Sequence, residues 1–369
     1  WSGCPRLGSG QGSRTLRSSW KPEADSWKLV GDCFSPVLST LYAAVARRRR
    51  AWYDRHPEAR RRLARPVISV GNIAVGGSGK TPVVAHLARL LAGAGERPAV
   101  LSRGYARRVE ADGVVVVRDR QRMVSDLAHA GDEPLMLARG LDGVAVLVAS
   151  DRHLAGVLAE RQFDASVHLL DDGFQHMMLE RDVDLVLVDA QDLEERRTLP
   201  GGRLREPIDT LARADAVAFA GDVEAARPRL AALGARRVFQ LTRRLERPRR
   251  CNAPEVPAAI APGARVLAVA GIARPERFAA ALKAAGWIVA GELWFRDHHP
   301  YGAADVERML RRAAETRADA VLTTEKDLVR LLPVLPAAAP IAWVPLAVSV
   351  EPAVEFRAWL VERIAAARD

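Results

Sequence analysis

The sequence predicts an α/β protein: a mostly parallel sheet flanked by helices, a smaller C-terminal α/β domain, and an N-terminal amphipathic helix. Three observations predict it. From Pro66 onward, short β-branched runs (66–70, 98–102, 114–117, 144–149, 166–170, 184–188, 215–220) alternate with helical patterns. This is the βαβ rhythm of a parallel sheet covered by helices. A polar, Arg- and Pro-rich stretch at 243–257 breaks the rhythm, and runs at 264–270, 287–293, 319–323 and 341–346 resume it. The 369 residues also exceed the usual size of one core. The expected division is a leader at 1–19, a basic amphipathic region at 20–65, an α/β core at 66–240 and a smaller α/β unit at 241–369.

Residues 1–19, rich in Gly, Ser and Arg, read as a disordered leader without the apolar core of a secretory signal. Charge is concentrated near this end. Residues 1–65 hold 14 Lys and Arg against 5 Asp and Glu, or +9 of the chain's +10. Ser35-Pro36 reads as a helix N-cap followed by Pro at the first helical position. Val37, Leu38, Leu41, Tyr42 and Val45 then form an apolar stripe, followed by Arg47–Arg50 and Arg60–Arg62, and four of the eight Trp (Trp1, Trp20, Trp27, Trp52) share this segment. The apolar stretch 37–46 is about half of what crosses a bilayer. A helix lying in a membrane interface, its Arg toward anionic headgroups, is the favoured reading. The alternative is a helix packed on the protein's own core. The near-neutral body argues against a nucleic-acid enzyme. Cys4, Cys33 and Cys251 lie far apart without CxxC spacing, which supports neither a disulfide framework nor a zinc site and fits a reducing compartment.

The first strand, with Val67, Ile68 and Val70, runs into Gly71-Asn-Ile-Ala-Val-Gly-Gly-Ser-Gly-Lys-Thr-Pro82 and then an apolar helical pattern (Val83, Val84, Leu87, Leu90, Leu91). Strand, glycine loop, Lys-Thr and helix is the context of a phosphate-binding P-loop. Gly76, Gly77, Ser78 and Gly79 let backbone N–H groups approach a polyphosphate, and the helix start at Lys80, Thr81 and Pro82 adds partial positive charge. Lys80 would reach the β- and γ-phosphates of a nucleoside triphosphate and Thr81 would hold Mg²⁺. Ala74 stands where GxxxxGK[ST] has its first Gly. The bland reading is a glycine-rich turn before an ordinary helix.

Acidic residues follow two later strands. The run 167–170 leads into Asp171-Asp172-Gly173-Phe174-Gln175-His176, and the run 185–188 leads into Asp189. Residues just past the C-terminal ends of parallel strands face the ligand crevice, which makes Asp171, Asp172 and Asp189 metal-side carboxylates or, alternatively, turn residues. Gly131-Asp132-Glu133-Pro134 opens another helix, and its residue types favour Asp132 as an N-cap. Leu204-Arg205-Glu206-Pro207 and Asp297-His298-His299 are further polar loop clusters.

Taken together, these motifs resemble the tetraacyldisaccharide 4'-kinase family. The matching segments are 70–82, Ser102–Tyr105 (SRGY), 131–134, 170–176 with Arg181-Asp182, 199–207 (LPGGRLREP), 271–278 (GIARPERF), 295–299 (FRDHH) and 324–327 (TEKD), in the family's order. Arg203 departs from the family's usual Pro, and the family's own loop also lacks the first Walker Gly. The resemblance implies a P-loop NTPase-like kinase, peripheral to the cytoplasmic face of the inner membrane. It would transfer phosphate from ATP, with Mg²⁺, to the 4'-hydroxyl of an acylated glucosamine disaccharide 1-phosphate. It further implies Asp132 as the general base, supported by His298 from the second domain, with Lys80 on the phosphates. Asp171 and Asp172 would serve the metal, and Glu133, Gln175, His176, Arg205 and Glu206 would lie nearby. No obligate protein partner is evident. A P-loop switch ATPase shares the loop and the acidic strand ends, but does not join Asp132, the 171–176 cluster and the N-terminus into one system.

Overall fold

The computed structural model describes the backbone of residues 26–368 except Ser78, 105–106, 110–111 and Ala338, with side chains from Pro36 onward. The leader at 1–19, Trp1, Trp20 and the loop residue Ser78 lie outside the described residues. The strands of the N-terminal part are β1 (Val67–Asn72), β2 (Pro98–Ser102), β3 (Val115–Arg118), β4 (Ala145–Val148), β5 (Val167–Asp171), β6 (Val183–Asp189), β7 (Ala216–Ala220) and β8 (Val238–Leu245). They are followed by β9 (Arg249–Arg250), β10 (Arg265–Ala270), β11 (Ile288–Trp294), β12 (Ala320–Thr324), β13 (Ile341–Val344) and β14 (Leu346–Glu351). The helices are α1 (Ser26–Arg55), α2 (Lys80–Gly93), α3 (Leu127–Ala130), α4 (Asp132–Gly140), α5 (Arg152–Phe163) and α6 (Ala190–Glu194). After these come α7 (Val223–Ala232), α8 (Pro275–Ala284), α9 (Ala303–Glu315), α10 (Glu325–Leu331) and α11 (Ala353–Ala366).

Two sheets result. The larger has the order β14-β8-β7-β6-β1-β5-β2-β4-β3, parallel throughout except for antiparallel β14 and β3 at its edges. Every residue of β1, β5 and β6 is buried, as apolar strands covered on both faces must be. Val83, Val84, Leu87 and Leu91 of α2 share one core with Leu135 and Leu137 of α4 and Phe356 and Leu360 of α11. Ala155 and Ala159 of α5 pack in a second core. The smaller sheet has the order β11-β10-β12-β13-β9. In the larger one β1 lies between β5 and β6, so the loop after Asn72 and the carboxylates ending β5 and β6 meet at one crevice.

Two expectations are corrected. The run at 341–346 is two strands parted by Pro345, and the second, β14, leaves the smaller sheet to pair with β8 (Leu346 opposite Leu245). The unit expected at 241–369 therefore ends near Val344, because Phe356 and Trp359 of α11 pack against Phe239 of the large sheet with ring centroids 4.9 and 5.5 Å away. At the N-terminus, Ser35-Pro36 does not begin a helix. α1 starts at Ser26 and carries Pro36 inside it.

One side of α1 docks on the body. Ser39 is buried, its carbonyl accepts from Thr198 Oγ1 (2.6 Å) and its hydroxyl oxygen accepts from Gly201 N (3.0 Å). Arg50 pairs with Glu206 (2.6 Å) and lies over the Phe174 ring, and Arg47 pairs with Asp209 (2.8 Å). Part of the basic run is thus spent on docking. Val37, Leu41 and Val45 recur at helical spacing on the opposite side and are 68%, 60% and 58% exposed. Among the described residues no helix is long and apolar enough to cross a membrane.

Phe356→Ala should destabilise the larger sheet by about 3–5 kcal/mol, the cost of emptying a buried phenyl site. Chemical denaturation checks this, and a loss below about 1 kcal/mol would contradict the return of the chain to that sheet.

Candidate active site

The loop after β1 is held from below. Asn72 donates from Nδ2 to the Ala74 carbonyl (2.6 Å) and accepts at Oδ1 from Lys80 Nζ (3.1 Å). Val75 N donates to the Arg203 carbonyl (2.8 Å) and Arg205 N to the Ile73 carbonyl (2.7 Å), so the 203–205 segment runs along the loop's first half. Ala74 is buried with Ile73, Phe174 and Leu204, and its φ is not positive. No glycine is needed there, which accounts for the departure from GxxxxGK[ST]. Gly79 caps α2 at φ 72, a left-handed conformation that glycine adopts without cost. Arg203, the departure from the resembled family, joins Val75 O (3.3 Å) to Asp192 of α6 (3.1 Å).

The two carboxylates after β5 have separate environments. Asp172, at φ 56, accepts both oxygens' bonds from Arg205 Nη1 (2.9 and 2.8 Å) and lies 3.3 Å from Lys80 Nζ. Burial works to raise its pKa, but Lys80 and Arg205 outweigh it and hold it below the ordinary value. Asp171 is buried, and its Oδ1 has no partner among the described residues. Burial, then the charges of Glu133 and Asp172, push its pKa up to about 7. Asp189 is occupied, paired with Arg243 (2.8 Å) and Arg277 (2.6 Å). Thr81 is buried in the first turn of α2.

Asp132 is not the N-cap its residue type favours. Gly131 caps α4 at φ 84, ψ 166, and Asp132 is the first helical residue. Its Oδ1 accepts from Glu133 N (3.0 Å), while its Oδ2 faces the smaller unit, accepting from His298 Nδ1 (2.9 Å) with Arg330 Nε at 3.6 Å and Lys326 Nζ at 4.0 Å. Burial raises its pKa, but His298, Lys326 and Arg330 together lower it, so it is ionised near neutrality. His298 Nε2 lies 3.2 Å from the Lys326 ammonium, which can only donate, so the neutral ring carries its proton on Nδ1, pointed at Asp132. His298 sits at φ 58, and Asp172 shares that left-handed state. Non-glycine residues held there cost about 1–3 kcal/mol and persist where their surroundings fix them.

The remaining expected residues divide. Gln175 Nε2 donates to the Asn72 carbonyl (2.9 Å) at the base of the loop, and Glu133 receives Lys326 (3.2 Å). His176 accepts at Nδ1 from Arg152 Nη1 (2.9 Å); burial and the charges of Arg152 and Arg181 lower its pKa to about 4, so it stays neutral. Glu206 is paired with Arg50 of α1 (2.6 Å) and also meets Gln175, which sits at the base of the loop. His299 bonds Asp305 of α9 (3.0 Å) and stacks on Phe295, which makes it structural. Sequence reasoning missed Arg330 and gave no role to Lys326, although TEKD was in view. Arg330 also bonds the buried Asp327 (2.6 Å), which in turn accepts from Tyr301 Oη (2.7 Å) and Gly271 N (3.0 Å). Arg152, the first residue of α5, was also missed, although it meets His176 and the charges of Asp171 and Asp172.

A glycine loop between strand and helix with Lys80-Thr81, and the ionised Asp172 3.3 Å from the Lys80 ammonium, mark the class as a P-loop kinase. The family model described as tetraacyldisaccharide-1-P 4'-kinase matches residues 33–365. The tetraacyldisaccharide 4'-kinase of Geobacter sulfurreducens is 41% identical over 308 residues, 81% of this chain and 86% of that protein. The protein of the same description from Anaeromyxobacter dehalogenans is 41% identical over 317 residues, 81% of each. A crystal structure of LpxK from Aquifex aeolicus in complex with ATP superposes with a TM-score of 0.71 at 31% identity, covering 89% of this chain and 97% of that one. The chain belongs to the tetraacyldisaccharide-1-P 4'-kinase family.

Because the folded-state pKa of Asp171 is raised from 3.8 to about 7, its contribution to stability is complete below pH 3.8 and is lost as pH rises through 7. Asp171→Asn should therefore stabilise the metal-free protein at pH 8 by roughly 2–4 kcal/mol and change little at pH 4. Denaturant titrations in EDTA at both pH values check it; equal effects at both would contradict the unpartnered carboxylate.

Proposed function

We propose that this chain transfers the γ-phosphoryl group of ATP to the 4'-hydroxyl of a tetraacyldisaccharide 1-phosphate, working at the membrane surface on the cytoplasmic face of the inner membrane. The observation that carries this reading is the buried Asp132 carboxylate, held by His298 across the two units. Asp132 accepts the sugar hydroxyl's proton as the hydroxyl oxygen bonds to the γ-phosphorus. The bond from that phosphorus to the bridging oxygen breaks, and its electron pair leaves with ADP. The Nδ1–H of His298 orients the carboxylate, and Lys326 fixes the ring's tautomer. Lys80 and the loop's backbone N–H groups bear the phosphate charge, so positioning and charge stabilisation supply most of the rate.

The residues present fit Mg²⁺. Asp171 offers an unpartnered, buried oxygen, and Thr81 a hydroxyl on the helix opening the loop. No group of three or more His, Cys, Asp or Glu at metal-holding spacing occurs among the described residues, as suits an ion bound by one or two protein groups plus phosphates. When bound, it would neutralise phosphate charge; Asp172, already shared by Lys80 and Arg205, would keep those cations aimed.

The exposed stripe of α1 supports work at a bilayer. Val37, Leu38, Leu41, Val45 and Trp52 point away from the docked side, and such a face gains free energy in a headgroup layer. A substrate with several acyl chains stays in that layer, so the helix would hold the crevice near its headgroup.

Labelled γ-phosphate from ATP should appear on tetraacyldisaccharide 1-phosphate in mixed micelles and be absent with Lys80→Ala. Asp132→Ala should lose about 10²–10⁴-fold in kcat with ATP affinity nearly unchanged; near-full turnover would refute the base. Leu41→Glu with Val45→Glu should lower partition into anionic phospholipid vesicles at least tenfold, and unaltered partition would remove the interface role.

A further inference from the structure

The GIARPERF segment is not used by the mechanism above, yet it reaches the phosphate loop. Arg274 is the residue before α8, where Pro275 begins the helix. Its guanidinium lies on the loop: a Cβ built at Gly76 would be 3.2 Å from both Nε and Nη2 of Arg274. Gly76 has φ 102, so glycine is required there both by its backbone and by this approach. Arg277, one turn on, anchors the start of α8 to the larger unit through Asp189 Oδ2 (2.6 Å) and Gln191 Oε1 (2.7 Å).

The charge around the loop is uneven. Arg203 pairs with Asp192, Arg205 with Asp172, and Arg243 and Arg277 with Asp189. Arg274 forms no ion pair among the described residues, and its one side-chain hydrogen bond among them is a long 3.4 Å contact to Gln191. A guanidinium set on Gly76 of a phosphate loop, without a carboxylate, is placed for an anion that the loop itself binds.

We propose that Arg274 is an arginine finger supplied in cis by the smaller unit. It binds the terminal phosphates of the nucleotide on the loop and takes up the charge that develops there during transfer. The step is the one already written: the acceptor oxygen bonds to the γ-phosphorus, the bridging oxygen leaves with ADP, and the acceptor's proton goes to Asp132. The inference rests on the kinase reading and extends it. One unit then delivers two groups to two ends of the reaction, His298 on the acceptor side and Arg274 on the donor side. Both arrive only when that unit is docked, and the Arg277–Asp189 pair is part of the dock.

The test uses the full chain with Mg²⁺ and either ADP or ADP with aluminium fluoride, a mimic of the phosphoryl group in transfer, alongside labelled-phosphate turnover. Arg274→Ala should lower kcat by about 10²–10³-fold and weaken the fluoride complex at least tenfold, while ADP binding changes less than threefold. Arg274→Lys keeps the charge but loses the planar fork, and should recover only a small part of the loss. Melting temperatures near wild type confirm that both variants fold, and if the alanine variant does not, the lysine variant carries the comparison. Variants that keep turnover and fluoride-complex affinity within threefold of wild type would overturn the finger, as would a wild-type protein that holds the fluoride complex no tighter than ADP. Failure of the kinase reading is a separate result: wild-type protein that binds the fluoride complex tightly but labels no lipid.

Discussion

The contact on which the rest depends is the 2.9 Å hydrogen bond from His298 Nδ1 to Asp132 Oδ2. It joins a helix of the nine-stranded sheet to a loop of the five-stranded one. A buried carboxylate costs several kcal/mol unless it is paired, and here the partners of Oδ2 come from the other unit. Placement of the smaller sheet and protonation of the base are therefore the same question. Arg330 ties the pair to Asp327 in the floor of the smaller unit, and Lys326 ties it to Glu133.

Around this contact the charges serve different ends. Asp172 and Asp189 are each neutralised by cations within 3.3 Å, and they position Lys80, Arg205, Arg243 and Arg277. Asp171 is left without such a partner on one oxygen and feels the charges of Glu133, Asp172, Lys80 and Arg152. Neighbouring carboxylates in one loop thus have opposite pKa shifts, Asp171 raised and Asp172 lowered. Sites are often built this way, with the stable part of the structure supporting one group that is costly to leave charged.

Much of the sheet was legible because buried parallel strands must be continuous apolar runs, and the runs around 66–70, 184–188 and 264–270 could be little else. The phosphate loop was legible for its chemistry, since only a few residue types allow close backbone approach. The chain's return through Pro345 to β14 was not, because periodicity reveals a strand but not its partner. The N-cap reading of Asp132 failed for a related reason. Gly131 can adopt the capping backbone, and the partners that release Asp132 from that duty lie 166 residues away. Lys326 and Arg274 sat in quoted motifs, but their roles come from contacts across the units that no local pattern encodes.

The most direct measurement of the central claim is a double-mutant cycle on kcat with Asp132→Asn, His298→Ala and the combined variant. If the two residues act as one unit, each single change should lose about 10²–10³-fold and the pair little more than the worse single, as groups sharing one task are strongly non-additive. Losses that multiply would mean that Asp132 and His298 act independently, and would contradict a base assembled across the two sheets.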